Sequence, residues 1–267
     1  MNDAPPSPPP LSVAITCFNS AATIERLLDS IEGLASQVVA VDSGSTDATL
    51  GILRARGIEP IHQDFLGHVK QKQFALERCE QPWALHLDAD ESLEPDLRDA
   101  IRDVIARNDP AVGACAMIRK VWYAGRLLDH AWQPEWRVRL VRTGSAAWGG
   151  YDPHDHLSLT DDARARGLRV EKIIGVMRHD TMPSAADFLA RQVAHGRIAA
   201  ASYERLGKRT NPLRVALSPL GAWLKEMVIR RAFLDGWRGW VAASCAASAA
   251  LAKHTILLER QRTEGDS

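Results

Sequence analysis

Between residues 11 and about 108, short apolar runs alternate with stretches in which apolar residues recur every three or four positions. Residues 11–16 read as a strand, and Ser20 is placed to cap a helix with Ile24, Leu27, Leu28 and Ile31 on one face. Residues 38–41 form a second strand that ends in Asp42. Ser43-Gly44-Ser45-Thr46-Asp47 is turn and capping chemistry, and the helix after it stops at Gly57. A third short strand is expected at 58–62, a helix from Gly67 to about Cys79, and a fourth strand at 83–87. The helix at 95–107 turns Leu97, Ile101, Val104 and Ile105 inward. Such alternation predicts an α/β fold, a mostly parallel sheet with flanking helices.

After Asn108 the pattern changes. Residues 114–119, 137–142 and 168–177 look like strands, separated by irregular loops rich in Trp and Gly. From Pro183 the chain reads as helix, with breaks at 207–212 and near Gly236. The expected organisation is a Pro-rich disordered tail at 1–10, a sheet domain at 11–182 and a helical region at 183–267. The sheet domain divides into 11–108, which would hold a nucleotide, and 109–182, which would face an acceptor.

Composition narrows the possibilities. With 267 residues, 46% hydrophobic and 25% charged, the chain can bury a full core. Formal net charge is zero, so no global basic field points to nucleic acid as a partner. Cys17, Cys79, Cys115 and Cys245 are far apart in the chain, which argues against a zinc site or disulfide framework and for reduced thiols. The first ten residues lack the pattern of a signal peptide, and the apolar run at 240–252 is too short to span a bilayer.

The candidate chemistry sits at strand ends. Trp83-Ala84-Leu85-His86-Leu87 runs into Asp88, Ala89, Asp90 and Glu91. Three acids together repel and are costly to desolvate unless a positive charge joins them. A divalent cation such as Mg²⁺ or Mn²⁺, shared with a substrate diphosphate, is the usual answer. The plainer alternative is an acidic turn feeding the helix that starts near Pro95. In open α/β sheets, ligands bind beyond the carboxyl ends of the strands, where Asn19, Asp42 and the acids at 88–91 would converge. Neither a Gly-x-Gly-x-x-Gly nor a Walker-type loop is present. Asp42 is placed to bond a base or ribose, Asp90 to hold the metal, and Asp88 to reach the ribose or a metal-bound water. Asp42 could instead cap its own turn. Lys72 suits a base or phosphate contact, or a solvated helix face.

Four segments carry a family resemblance: SVAITCFNSAATIERLLDSI, VVAVDSGSTDATLGIL, GHVKQKQFALERC and WALHLDADESLEPDL. Together they resemble the inverting glycosyltransferases of family 2, which have a GT-A fold. Lys72-Gln73 departs from the Arg-Asn of many members and loses arginine's bidentate fork. Further on, Trp136-Arg137-Val138-Arg139-Leu140-Val141-Arg142, His154-Asp155-His156-Leu157, Arg178-His179-Asp180 and FLDGWRGWVAA resemble a narrower group. Its members add β-1,4-linked glucose to the inner core of lipopolysaccharide. This resemblance implies transfer of a hexose, with glucose foremost, from a nucleotide diphosphate sugar such as UDP-glucose to a lipid-linked saccharide. It implies a metal-dependent enzyme with Asp155 as the general base, or Asp152 as the alternative. Arg137 and Arg139 share a strand face and suit donor or acceptor phosphate, or pairing with the acids. His154 and His156 could serve metal or phosphate.

Two further readings compete: action in exopolysaccharide or another envelope glycan, and an inactive scaffold of the same fold. In the helical region, Lys208, Arg209, Arg214, Lys225, Arg230, Arg231 and Arg238 are interleaved with Trp223, Phe233, Trp237 and Trp240. That mixture suits peripheral contact with an anionic membrane, here the inner face of the cytoplasmic membrane.

Overall fold

The structure, a computed structural model, describes residues 8–151 and 154–263, with the backbone alone at Tyr151 and His154. Asp152 and residues 1–7 of the expected tail lie outside these. The first half runs β1 (Leu11–Cys17), α1 (Ile24–Ile31), β2 (Gln37–Asp42), α2 (Thr49–Ala55), β3 (Ile61–His62), α3 (His68–Leu76), β4 (Trp83–Asp88), β5 (Glu91–Leu93) and α4 (Pro95–Arg107). The second half runs β6 (Val112–Tyr123), β7 (Arg126–Leu127), β8 (Trp136–Arg142), β9 (Ala146–Tyr151), β10 (His154–Leu159), α5 (Asp161–Ala165) and β11 (Arg169–His179). Three long helices follow: α6 (Ala185–Arg205), α7 (Pro212–Leu224) and α8 (Trp237–Thr263). A π-helical turn (Lys225–Ile229) and a 3₁₀ turn (Ala232–Asp235) join the last two.

The main sheet has the order β3-β2-β1-β4-β8-β6-β11-β5, with β7 paired to β6. β3, β2, β1 and β4 are parallel neighbours, as the alternation of strand and helix requires. β8 then pairs antiparallel with β4 and with β6, and β5 pairs antiparallel with β11. β1 and β4 are buried along nearly their whole length, which explains their unbroken apolar runs. α1 and α4 pack their predicted apolar stripes on one face, around Leu27, Leu97, Ile101 and Trp83. α3 and the β9–β10 hairpin are part of a second cluster, around Val41, Ala75 and Trp148.

Three expectations are corrected. The third strand is only Ile61–His62, because Glu59 and Pro60 interrupt the apolar run. The segment around Asp155 is the strand β10 and not an irregular loop. Its Gly-containing partner β9 hid the hairpin from a reading of apolar alternation. The apolar run at 240–252 belongs to the 27-residue helix α8, which by length and composition alone could cross a membrane.

The chain forms two compact units. One takes in the chain up to Arg119 together with Trp136–His179; the other takes in Lys120–Glu135 and the chain from Asp180 on. In the second unit α8 packs against both α6 and α7. Small residues permit this approach: a Cβ added at Gly196 would lie 3.0 Å from the Ala252 Cβ.

Candidate active site

The loops after β1 and β2 are tied together. Asn19 has φ +47, a left-handed conformation that Asn tolerates. Its backbone N–H donates to Ser45 Oγ, and its Oδ1 accepts from the Thr46 N–H, both at 2.8 Å. Asp42 is 2% exposed. Its Oδ2 accepts the N–H groups of Gly44 and Ser45 at 2.8 Å, and Oδ1 accepts the Ser45 hydroxyl. The carboxylate therefore caps its own turn. Burial first, and the nearby Asp42 charge second, push the Cys17 thiol up to about 12, so it stays neutral.

The acids at the end of β4 have different partners. Glu91 is fully buried and accepts Arg139 Nη2 at 2.8 Å, Arg139 Nε at 3.1 Å and Arg119 Nη1 at 2.9 Å. Burial alone would raise its carboxyl, but the Arg139 and Arg119 charges outweigh that and leave it at about 2. Asp88 accepts Arg139 Nη2 at 3.2 Å and pairs with Lys72 Nζ at 2.9 Å. Burial again opposes ionisation, and the Lys72 and Arg139 charges hold Asp88 well below the usual carboxylate range. Asp90 differs. Its Oδ2 lies 3.3 Å from His179 Nε2, and among the described residues no Lys or Arg pairs with it. Its side chain is also the more exposed, at 32% against 22% for Asp88 and 0% for Glu91.

Lys72 joins this cluster to β10. It is 7% exposed, and its Nζ donates to Asp155 Oδ2 at 2.8 Å while also holding Asp88. Burial works against the Asp155 charge, and Lys72 reverses that and lowers its pKa. The Trp148 ring lies under both cations, 4.8 Å from Lys72 Nζ and 5.3 Å from the Arg139 guanidinium. His86 packs edge-on against Trp148 at 4.9 Å, and burial pushes its imidazole down to about 3, so it is neutral. Gln73 Oε1 accepts the Trp148 backbone N–H at 2.9 Å and fixes β9 to α3.

The sequence thus brings Asp88, Asp155, Lys72 and Arg139 into one cluster, with Asp90 at its edge and Asn19 and Asp42 in the adjoining loops. Arg137 is half-buried, and His156 is exposed. Much of the positive charge expected from a metal is supplied by Lys72, Arg139 and Arg119. Sequence reasoning missed the packing of Trp148 and His86 and the pairing of His179 with Asp90. The Arg178-His179-Asp180 segment was the available signal, without a stated role for its histidine.

No group of three or more His, Cys, Asp or Glu suited to a metal occurs among the described residues. Asp90 fits a different kind of site: Mg²⁺ is commonly held by one or two carboxylates, with water and substrate phosphates completing the shell.

Together these features define an α/β protein with acidic chemistry at the carboxyl ends of its parallel strands. The family model for glycosyl transferase family 2 matches residues 12–159, and the chain belongs to that family. The lipopolysaccharide core biosynthesis glycosyltransferase LpsC of Rhizobium meliloti is 35% identical over 156 residues, covering 54% of this chain and 53% of LpsC. The match therefore spans about half of LpsC's length. An uncharacterized glycosyltransferase of Rickettsia prowazekii, RP128, is 27% identical over 236 residues, 86% of this chain and 80% of the relative. Among solved structures, S. aureus TarS has 16% identity and a TM-score of 0.46, covering 92% of this chain and 54% of TarS. The mannosyltransferase PcManGT of Pyrobaculum calidifontis, solved with GDP-Man and Mn²⁺, has 18% identity and a TM-score of 0.43 over 98% of this chain and 80% of its own.

Proposed function

We propose that the chain is an inverting hexosyltransferase that moves glucose from UDP-glucose to a lipid-linked saccharide of the lipopolysaccharide core. Membership of family 2 supports the transferase class, and the likeness to LpsC supports the lipopolysaccharide core over another envelope glycan. The observation that carries the reading is the Lys72 bridge, which holds Asp88 at the end of β4 and Asp155 on β10 within one hydrogen-bonded cluster. An inactive scaffold has no need for two half-buried carboxylates held about one buried lysine there.

In this reading Asp42 spends its carboxylate on its turn and shapes the Ser43–Thr46 wall against which the nucleoside rests. Asn19 keeps that wall in register with β1. Asp90, with His179, would hold Mg²⁺ or Mn²⁺. The ion, when bound, supplies Lewis-acid stabilisation of the departing diphosphate. Asp88, clamped by Lys72 and Arg139, orients the ribose or a bound water beside it. Arg137, two residues before Arg139 on β8, would serve a phosphate. Asp155 accepts the proton of the acceptor hydroxyl as the new glycosidic bond forms. Its pairing with Lys72 ensures that it is ionised at neutral pH, as a base must be. Asp152 is the alternative base. Work on a lipid-linked acceptor would place the enzyme at the inner face of the cytoplasmic membrane.

The test is transfer to truncated lipopolysaccharide, with the anomeric configuration of the product read by NMR. A β-linked product from the α-linked donor is expected. Asp155→Asn should lower kcat by about 100- to 10,000-fold, the usual worth of a positioned base. Near-normal turnover in Asp155→Asn would remove that residue from the role, and a retained α-linkage would contradict inversion.

A further inference from the structure

In the second unit, α7 has no buried residue. Its half-buried positions, Val215, Ser218, Pro219, Ala222 and Trp223, follow helical spacing on one face. α7 packs on α8, with the Trp223 and Trp240 rings 5.6 Å apart. The outer face of a surface helix is ordinarily polar. Here it carries Leu213, Leu217, Leu220 and Leu224, at 65%, 54%, 54% and 43% exposure. The apolar surface continues through Val228 and Ile229 in the π-helical turn, Phe233 and Leu234 in the 3₁₀ turn, then Trp237 and Trp240. Scattered exposed leucines need no explanation, but so many exposed apolar residues in succession along one segment point to an interaction surface.

The exposed charge along this segment is of one sign. Between Leu206 and Trp240 the chain has seven Lys and Arg residues and two acids, Glu226 and Asp235. Both acids are buried and occupied. Asp235 accepts the N–H groups of Asp129, His130 and Ala131 at 2.8–3.0 Å, and Glu226 accepts the Trp132 N–H at 2.9 Å and pairs with Arg230. The exposed charge on this segment is therefore all positive, on Lys208, Arg209, Arg214, Lys225 and Arg231 foremost. A cavity of about 560 Å³ at the start of α7 repeats the combination, with Lys208, Arg214 and His254 beside Leu213 and Leu217.

We propose that this face docks on an anionic phospholipid bilayer, with α7 lying in the plane of the interface. The leucine stripe and the tryptophans enter the headgroup–acyl boundary, and the basic residues contact lipid phosphates. The proposal deepens the lipid-linked-acceptor reading and rests on it only for its purpose.

The experiment is co-sedimentation of the full chain with glycan-free vesicles, either pure phosphatidylcholine or phosphatidylethanolamine mixed with phosphatidylglycerol. Binding to the anionic vesicles alone is expected, with release at high salt. Each basic residue near such a surface is worth about fivefold in affinity, so Arg214→Gln/Lys225→Gln/Arg231→Gln should weaken binding about a hundredfold. Leu217→Ser/Leu220→Ser should weaken it as well. Both variants change exposed side chains, and circular dichroism checks that they fold. Equal binding to neutral vesicles, or none to either, would overturn the proposal. So would a dimer in sedimentation velocity that Leu217→Ser/Leu220→Ser dissolves, or protein that resists carbonate extraction as a spanning helix would. Transfer to a soluble truncated acceptor is measured separately, so a lost docking surface is distinguishable from a lost transferase.

Discussion

Removing the guanidinium of Arg139 would leave Glu91 fully buried with Arg119 as its remaining cation. Breaking a buried pair from one side costs about 3–5 kcal/mol, because an uncompensated charge stays behind. Arg139→Met should lower stability by that amount in urea unfolding; a loss under about 1 kcal/mol, as for a surface pair, would contradict it. Lys72 gives a kinetic counterpart. Its charge overcomes the burial that would otherwise raise the Asp155 carboxyl. A base works only when deprotonated, so in Lys72→Met the acid limb of the kcat/KM profile should move to higher pH. An unmoved limb would show that Asp155 is not the titrating base. At this scale the sequence names Asp88, Asp155, Lys72 and Arg139, which the fold brings together, but not their pairing. Arg139 and Asp88 are 51 positions apart and lie in separate motifs, so neither motif discloses the pair. Asp42, placed by the sequence for a base or ribose with its own turn as the alternative, makes the turn-capping bonds, since Ser-Gly-Ser follows it directly.

Elements were more legible than contacts. α4 begins and ends where Pro95 and Asn108 predict, because proline suits the first turn and Asn108 adopts the left-handed stop. The β9–β10 hairpin was not legible, since Trp148-Gly149-Gly150 lacks the alternation of a strand. β11 shows how tightly the elements that carry the site are set. Gly175 has φ +124, and a Cβ there would lie 2.5 Å from the Leu97 Cα in α4. That close approach seats the strand that ends in His179. Gly175→Ala meets both a backbone and a steric obstacle, so it should destabilise by more than about 1 kcal/mol. Thermal unfolding would detect it, and an unchanged midpoint would mean that β11 can shift without cost.

Across the whole chain, zero net charge conceals an uneven arrangement. In the first unit Lys72, Arg139 and Arg119 answer Asp88, Glu91 and Asp155, and Asp90 is left with His179. In the second unit, basic residues accompany an apolar face on α7. The alternation of strand and helix disclosed the fold class, and the motifs disclosed the family. The sequence names Asp90 for a metal, but that Lys72 and Arg139 answer Asp88 and Asp155 became visible only in the fold, because that pairing joins strands distant in sequence. The most direct measurement is a calorimetric titration of UDP-glucose, with and without Mn²⁺, against the wild type and Asp90→Asn. Metal-dependent binding that Asp90→Asn abolishes is the predicted result. Equal binding by both proteins, with no effect of Mn²⁺, would contradict the proposed donor site.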